Sequence, residues 1–178
     1  MHRFASVAVL ALASTTFAQG PKATPEHKFL QGQAGKWDAV ITLPGANAPM
    51  KGSLEVRKLG NTWVTSTLKM DFGPMKYEGR GTMGFDPRKK KFVGSWADNI
   101  TDSLALPEGT LDEATKTFTE TWSQTLPNGD TAFFKLVTTH DGDDKMKAVY
   151  YNGKTADELK EVMTIEYARA KTEEKKAK

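Results

Sequence analysis

From Lys36 onward the chain is interrupted by turn signals so often that long helices have no room. Between those signals its residues alternate or are rich in β-formers. Such runs are Lys36–Leu43, Lys51–Arg57, Thr62–Phe72, Met75–Phe85 and Lys91–Asp98, then Ser103–Leu106, Thr117–Gln124, Thr131–His140, Lys145–Tyr151 and Val162–Tyr167. They are separated by Leu59-Gly-Asn61, Phe72-Gly-Pro74, Asp86-Pro87, Pro107-Glu-Gly109, Pro127-Asn-Gly-Asp130, Asp141-Gly-Asp-Asp144 and Asn152-Gly153. About ten short strands at regular spacing predict an all-β fold, an antiparallel sandwich or barrel. No internal repeat or linker interrupts Thr24–Arg169, which reads as one domain.

The two ends read differently. His2 and Arg3 followed by the apolar, Ala-rich Phe4–Ala13 and the small-residue pattern Thr16-Phe17-Ala18 predict a signal peptide over residues 1–18. The expectation is export to the periplasm or beyond, without a membrane span, because no stretch approaches the ~18 apolar residues a spanning helix needs. Residues 19–23 read as a flexible lead-in. Thr24-Pro25-Glu26 supplies an N-cap, a proline at the first helical position and an early acid. A short helix anchored by Phe29 and Leu30 follows, with Gly35 as its stop and His27 as a partly exposed helix histidine. Thr155-Ala-Asp-Glu158 resembles a capping box that opens one helical turn before the last strand. Residues 170–178 read as a disordered charged tail.

The chain has no cysteine, so an exported fold must rest on its packed core, and thiolate catalysis or cysteine-based metal attachment is excluded. Its basic balance is carried by the ends. Without Arg3 and the tail after Ala170, twenty basic residues face twenty acidic ones, and no basic face argues for nucleic acid.

Gly79-Arg-Gly81-Thr-Met-Gly84 matches the dinucleotide pattern G-x-G-x-x-G, with Asp98 placed like a ribose-binding acid. That pattern works only between a strand and a helix whose N-terminus faces the pyrophosphate. Here Pro87 and the basic run Arg88–Lys91 leave no room for a crossover helix of about a dozen residues. Gly79 and Gly81 alternate instead with Tyr77, Met83 and Phe85 on one strand face. There they permit coiling or the close approach of a large neighbouring side chain. The basic run is then a solvated hairpin tip, and no cofactor is expected.

Gly35-Lys-Trp37 enters the first strand after a short helix, and Arg169 closes the last. An arginine so placed can stack on an aromatic from the other end of the chain, a cation–π contact. In these features the chain resembles the lipocalin-like (calycin) superfamily. The resemblance implies an up-and-down barrel, with the short N-terminal helix closing one end and Trp37 and Arg169 as structural closure. Tyr77-Glu-Gly-Arg-Gly, Gly84-Phe-Asp-Pro, Lys91-Phe-Val-Gly-Ser-Trp-Ala-Asp98 and Met163-Thr-Ile-Glu-Tyr-Ala-Arg169 together resemble a family of exported bacterial proteins. It is catalogued as a domain of unknown function (DUF fifteen-seventy-nine). That resemblance implies a barrel-like exported domain and carries no catalytic residues.

Alternation places Phe118, Glu120 and Trp122 on one face, and Phe92, Gly94, Trp96 and Asp98 on another. A carboxylate on an apolar face must find a cation, become protonated or meet water. Arg80 and Lys69 are available as partners. Either Asp98 lies in solvent and Glu120 in a structural ion pair, or Trp96, Asp98, Glu120 and Trp122 line a ligand pocket. His140 beside Asp141-Gly-Asp-Asp144 hints at a metal, but the spacing matches neither a calcium loop nor a zinc site, so no metal is expected. Asn99-Ile-Thr101 is a formal glycosylation sequon, without consequence if the source is bacterial, as the leader and the family resemblance imply.

The leading functional reading is a non-enzymatic barrel that binds a small apolar or amphipathic molecule. The second is a hydrolase-like enzyme using Asp98 and Glu120 as an acid–base pair. The chain lacks G-x-S-x-G, Walker and H-E-x-x-H motifs. The third is a structural or protein-interaction barrel.

Overall fold

The computed structural model describes residues 21–126 and 128–171. The predicted leader and most of the predicted tail lie outside the described residues. Within them one helix, α1 (Pro25–Gly32), precedes ten strands: β1 (Gly35–Thr42), β2 (Met50–Leu59), β3 (Trp63–Phe72), β4 (Met75–Asp86), β5 (Lys91–Asp98), β6 (Glu108–Asp112), β7 (Thr117–Thr125), β8 (Thr131–Asp141), β9 (Lys145–Gly153) and β10 (Lys160–Arg169). Each strand pairs antiparallel with its chain neighbours, and β1 pairs with β10 to close an up-and-down barrel. Closure leaves no strand at a free sheet edge among the described residues, although β5 and β6 pair at only two positions, and this limits edge-to-edge association.

Two predicted elements are corrected. Ser103–Leu106 is not a strand, and only Ala105 bridges to Trp96. The ladder is carried instead by β6, part of which reads as a turn in the sequence. Gly109 explains the choice: a Cβ there would stand 2.9 Å from the Phe118 ring, so a bare backbone is needed where β6 crosses that ring. Thr155–Glu158 forms a turn rather than a helical turn, with Thr155 Oγ1 donating to Glu158 Oε2 at 3.3 Å.

The helix stoppers one end. Leu30 is fully buried, and the Phe29 ring sits 6.1, 5.8 and 5.1 Å from those of Phe92, Phe118 and His140. His27 is buried, not partly exposed as its sequence context suggests. Its Nδ1 accepts from the Thr24 backbone N–H at 3.0 Å, which leaves Nε2–H to donate to the Phe85 carbonyl at 3.2 Å. The histidine thus ties the helix start to the end of β4.

Across this mouth Arg169 lies over the Trp37 ring at 4.2 Å, the two residues being direct partners across the β1–β10 seam. The Trp37 indole donates to the Gln33 carbonyl at 3.0 Å.

The glycines of β4 serve packing. A Cβ on Gly79 would lie 2.3 Å from the Trp96 ring, and one on Gly81 would lie 2.6 Å from the same ring. Trp96 therefore lies flat across both. Gly84 faces outward beneath the Trp63 ring, 2.5 Å from where its Cβ would be. Because the Gly81 Cβ would also meet the Ser95 carbonyl at 2.5 Å, the backbone itself resists relief. Gly81→Ala is expected to cost about 2 kcal/mol in urea unfolding, the usual scale of overpacking. A loss below about 0.5 kcal/mol would show that Trp96 is free to move.

Candidate functional site

Register fixes which residues face the interior. Gly79 pairs with Asp98 and Gly81 with Trp96; Gly109 pairs with Glu120, which in turn faces Leu136; Trp122 faces Phe134; and Leu136 faces Tyr150. Cross-strand partners share a face, so Trp96, Asp98, Glu120, Trp122, Phe134 and Tyr150 all belong to the inner wall.

That wall is packed unevenly. Toward the helix, Trp37, Phe92, Phe118 and Met146 are buried, and so, on the β1–β3 side of the other end, are Ile41 and Met70. Toward the opposite mouth, the inward-facing Trp96, Asp98, Trp122, Phe134 and Tyr150 all keep accessible surface. Glu120 stands on the boundary, between buried Phe118 and half-buried Trp122 on its own strand. It is deep, and yet part of its surface is still reached by solvent. The β5–β9 wall is therefore only partly buried toward this mouth, whereas the two larger depressions, of about 600 and 400 Å³, lie at the helix end.

Three groups organise this part of the inner wall. The Trp122 and Phe134 rings stack at 5.3 Å and 14°, with Tyr150 tilted against them at 5.7 and 6.0 Å. The Trp96 indole donates to the Tyr77 hydroxyl at 2.9 Å, and Tyr77 donates to Asp98 Oδ2 at 3.4 Å. The third group is Glu120, for which no hydrogen bond or ion pair occurs among the described residues. The structural ion pair considered from sequence is absent there, because Lys69 and Arg80 both hold Glu78 on the outer face.

Asp98 is only partly free. Its Oδ1 accepts from the Ile100 and Thr101 backbone N–H groups and from the Thr101 hydroxyl at 3.0, 2.8 and 3.1 Å, which folds the loop after β5. The Trp122 indole donates to Gln124 Oε1, and Gln124 reaches Ser103 Oγ, fastening the same loop to β7.

Electrostatics separate the two acids. Burial alone pushes the Glu120 carboxyl up to about 7, with no contribution from Asp98. Burial likewise raises the phenols of Tyr77, Tyr150 and Tyr167. The Asp98 charge adds to the first two, and Tyr77 and Glu120 add to the third. Phe134 and Tyr150 escaped the sequence reading for a definite reason. Phe133-Phe134 and Tyr150-Tyr151 are aromatic doublets, so alternation cannot say which member faces inward until the register is known. Tyr77 carried a usable signal in its alternation with Gly79 and Gly81.

His140 stands apart, at the helix end. Burial holds it below its ordinary value, and its Nε2 is buried without a partner among the described residues. It borders a depression of about 400 Å³ together with Phe29, Gln33, Trp37 and Arg169. No group of three metal-ligating side chains occurs among the described residues.

The sequence between residues 22 and 169 matches the family model described as "Protein of unknown function (DUF1579)". The chain belongs to this family. The sequence matches no curated protein. Solved structures of other proteins share the family member's fold. The crystal structure of Rv2717c from M. tuberculosis superposes with a TM-score of 0.63 at 13% identity, covering 84% of this chain and 100% of that one. The S-type phycobiliprotein lyase CPES from Guillardia theta does so with a TM-score of 0.56 at 9% identity, covering 83% and 93%. At such identities the likeness concerns the barrel alone, and barrels host many functions.

Proposed function

We propose that this family member is a non-enzymatic, exported barrel that holds a small apolar or amphipathic molecule in the open half of its interior. A single observation carries the reading. The inward-facing Trp96, Trp122, Phe134 and Tyr150 are only partly buried, where the inward residues nearer the helix are buried. Aromatic area with a few placed polar groups is the usual make-up of a small-molecule site. Tyr77, Asp98 and Glu120 supply those groups. That a phycobiliprotein lyase is built on the same barrel is compatible with ligand-handling work. An acid–base enzyme finds less support, since Asp98 is committed to the loop and exerts no pull on Glu120.

The test is mass spectrometry of organic extracts from protein isolated from its native compartment, together with titration of the delipidated protein by fluorescence of its tryptophans. A bound small molecule is expected in the extract. Replacing both stacked rings, Trp122→Ala with Phe134→Ala, is expected to lower its retention about tenfold or more. An empty extract, combined with a delipidated protein that takes up no apolar probe, would sink the reading.

A further inference from the structure

The open half of the interior carries an imbalance of charge that defines its ligand further. Of the ionisable side chains that register assigns to the inner face there, Asp98 and Glu120 are acids and Tyr77 and Tyr150 are phenols, with Tyr167 deeper in the barrel. Cations with the same facing stand at the ends. Arg169 is at the helix mouth, pinned over Trp37 and to Asp144. Lys58 lies at the end of β2 and Lys160 at the start of β10, both exposed. None of them pairs with Glu120 among the described residues.

A deep carboxylate without a cation is costly, and here it lies one inward position from a stacked tryptophan and phenylalanine, with a tyrosine against them. Aromatic faces carry negative potential and attract cations, most strongly when both are removed from water. An acid and the cluster of three aromatic rings beside it therefore attract the same kind of group. An anionic head would meet Asp98, Glu120 and the negative ring faces at once.

Resting on the cavity reading above, we propose that the ligand is a cationic amphiphile, its ammonium-type head held between Glu120 and the Trp122–Phe134–Tyr150 rings and its apolar part lying toward the open mouth. The bound cation would supply the counter-charge that Glu120 lacks, and would keep the carboxyl ionised where burial favours its protonated form.

Three probes of one chain length separate the terms: octyltrimethylammonium, 1-octanol and octanoate, each titrated calorimetrically into the delipidated full chain at about pH 8.5, where the carboxyl is ionised. The ammonium is expected to bind about tenfold or more tighter than the alcohol, and octanoate weakest. Glu120→Gln is expected to remove that preference, so that the ammonium and the alcohol bind within about twofold of each other. Should the Gln variant fail to fold, the wild-type protein at about pH 5 gives the same comparison, with Glu120 protonated and the preference reduced. Equal binding of all three probes, or a preference for octanoate, would overturn the cation assignment while the cavity stands. If none of the three binds, the cavity reading itself falls and takes the cation assignment with it.

Discussion

Arg169→Ala is expected to lower the unfolding free energy by about 3–4 kcal/mol, the sum expected of a charged group that satisfies several carbonyls and stacks on an indole. Its Nη1 donates to the Ala34 carbonyl at 2.9 Å, and its Nη2 donates to the Asp143 carbonyl at 2.7 Å and to that of Gly32 at 3.3 Å. Its Nε reaches Asp144 Oδ1 at 3.0 Å. These acceptors come from the end of α1, the approach to β1 and the β8–β9 turn, so one guanidinium joins the stopper, the first strand and the last strand. Gly35, with φ at +142°, belongs to the same device: a Cβ there would lie 2.6 Å from Nη1. The Asp144 ion pair matters least, because that carboxylate is largely exposed. The carbonyls matter more, since truncation leaves them facing a half-buried gap. Arg169→Lys keeps the charge but not the planar fork, and is expected to recover less than half of the loss. Thermal unfolding should show a fall of roughly 10 °C for the alanine variant. A fall under about 2 °C would mean that helix packing alone closes this mouth.

Much of this fold can be read before any coordinates. Turn residues and period-two alternation locate the strands because a barrel wall is half buried and half wet, so each strand writes its facing into the sequence. The rejection of the nucleotide motif rests on the same physics: with Pro87 and four basic residues after Gly84 there is no helix to aim at a phosphate. Where the reading slipped, alternation was overridden by something non-local. β6 is set by the ring of Phe118 over Gly109, a contact between different strands. His27 is buried because its ring reaches the Phe85 carbonyl far along the chain. The interior site was half legible. Trp96, Asp98, Glu120 and Trp122 alternate cleanly with their neighbours, and the register puts all four on the inner wall. Whether that wall encloses solid core or hollow is written in no strand by itself. It depends on how ten inner faces fill one volume.

Glu120→Gln is expected to stabilise the ligand-free protein at about pH 8 by roughly 1–3 kcal/mol and to flatten its stability between about pH 5 and pH 8. Burial raises this carboxyl from 4.5 to about 7, so the folded state binds its proton more tightly than the unfolded chain does. A group raised in this way contributes its stability in full below its unfolded value and loses it as pH climbs through the folded value. The wild-type protein should therefore weaken between about pH 4.5 and pH 7, by at most roughly 3 kcal/mol from a shift of this size. The groups facing Glu120 do not obscure that window. Tyr77, Tyr150 and Tyr167 are raised further from it and stay protonated throughout. His140 works in the opposite sense: held low by burial, it loses stability as pH falls. The wild-type curve alone would mix the two, but the difference between wild type and Glu120→Gln cancels the histidine and isolates the carboxyl. Glutamine keeps the shape and removes the charge, though its amide still needs partners, which is why the gain is bounded below the full shift. Urea unfolding at several pH values, on protein stripped of ligand, gives that difference directly. A difference that does not change with pH would mean that the Glu120 carboxylate already has a counter-charge or ample water, and the unpaired acid on the inner wall would lose its role.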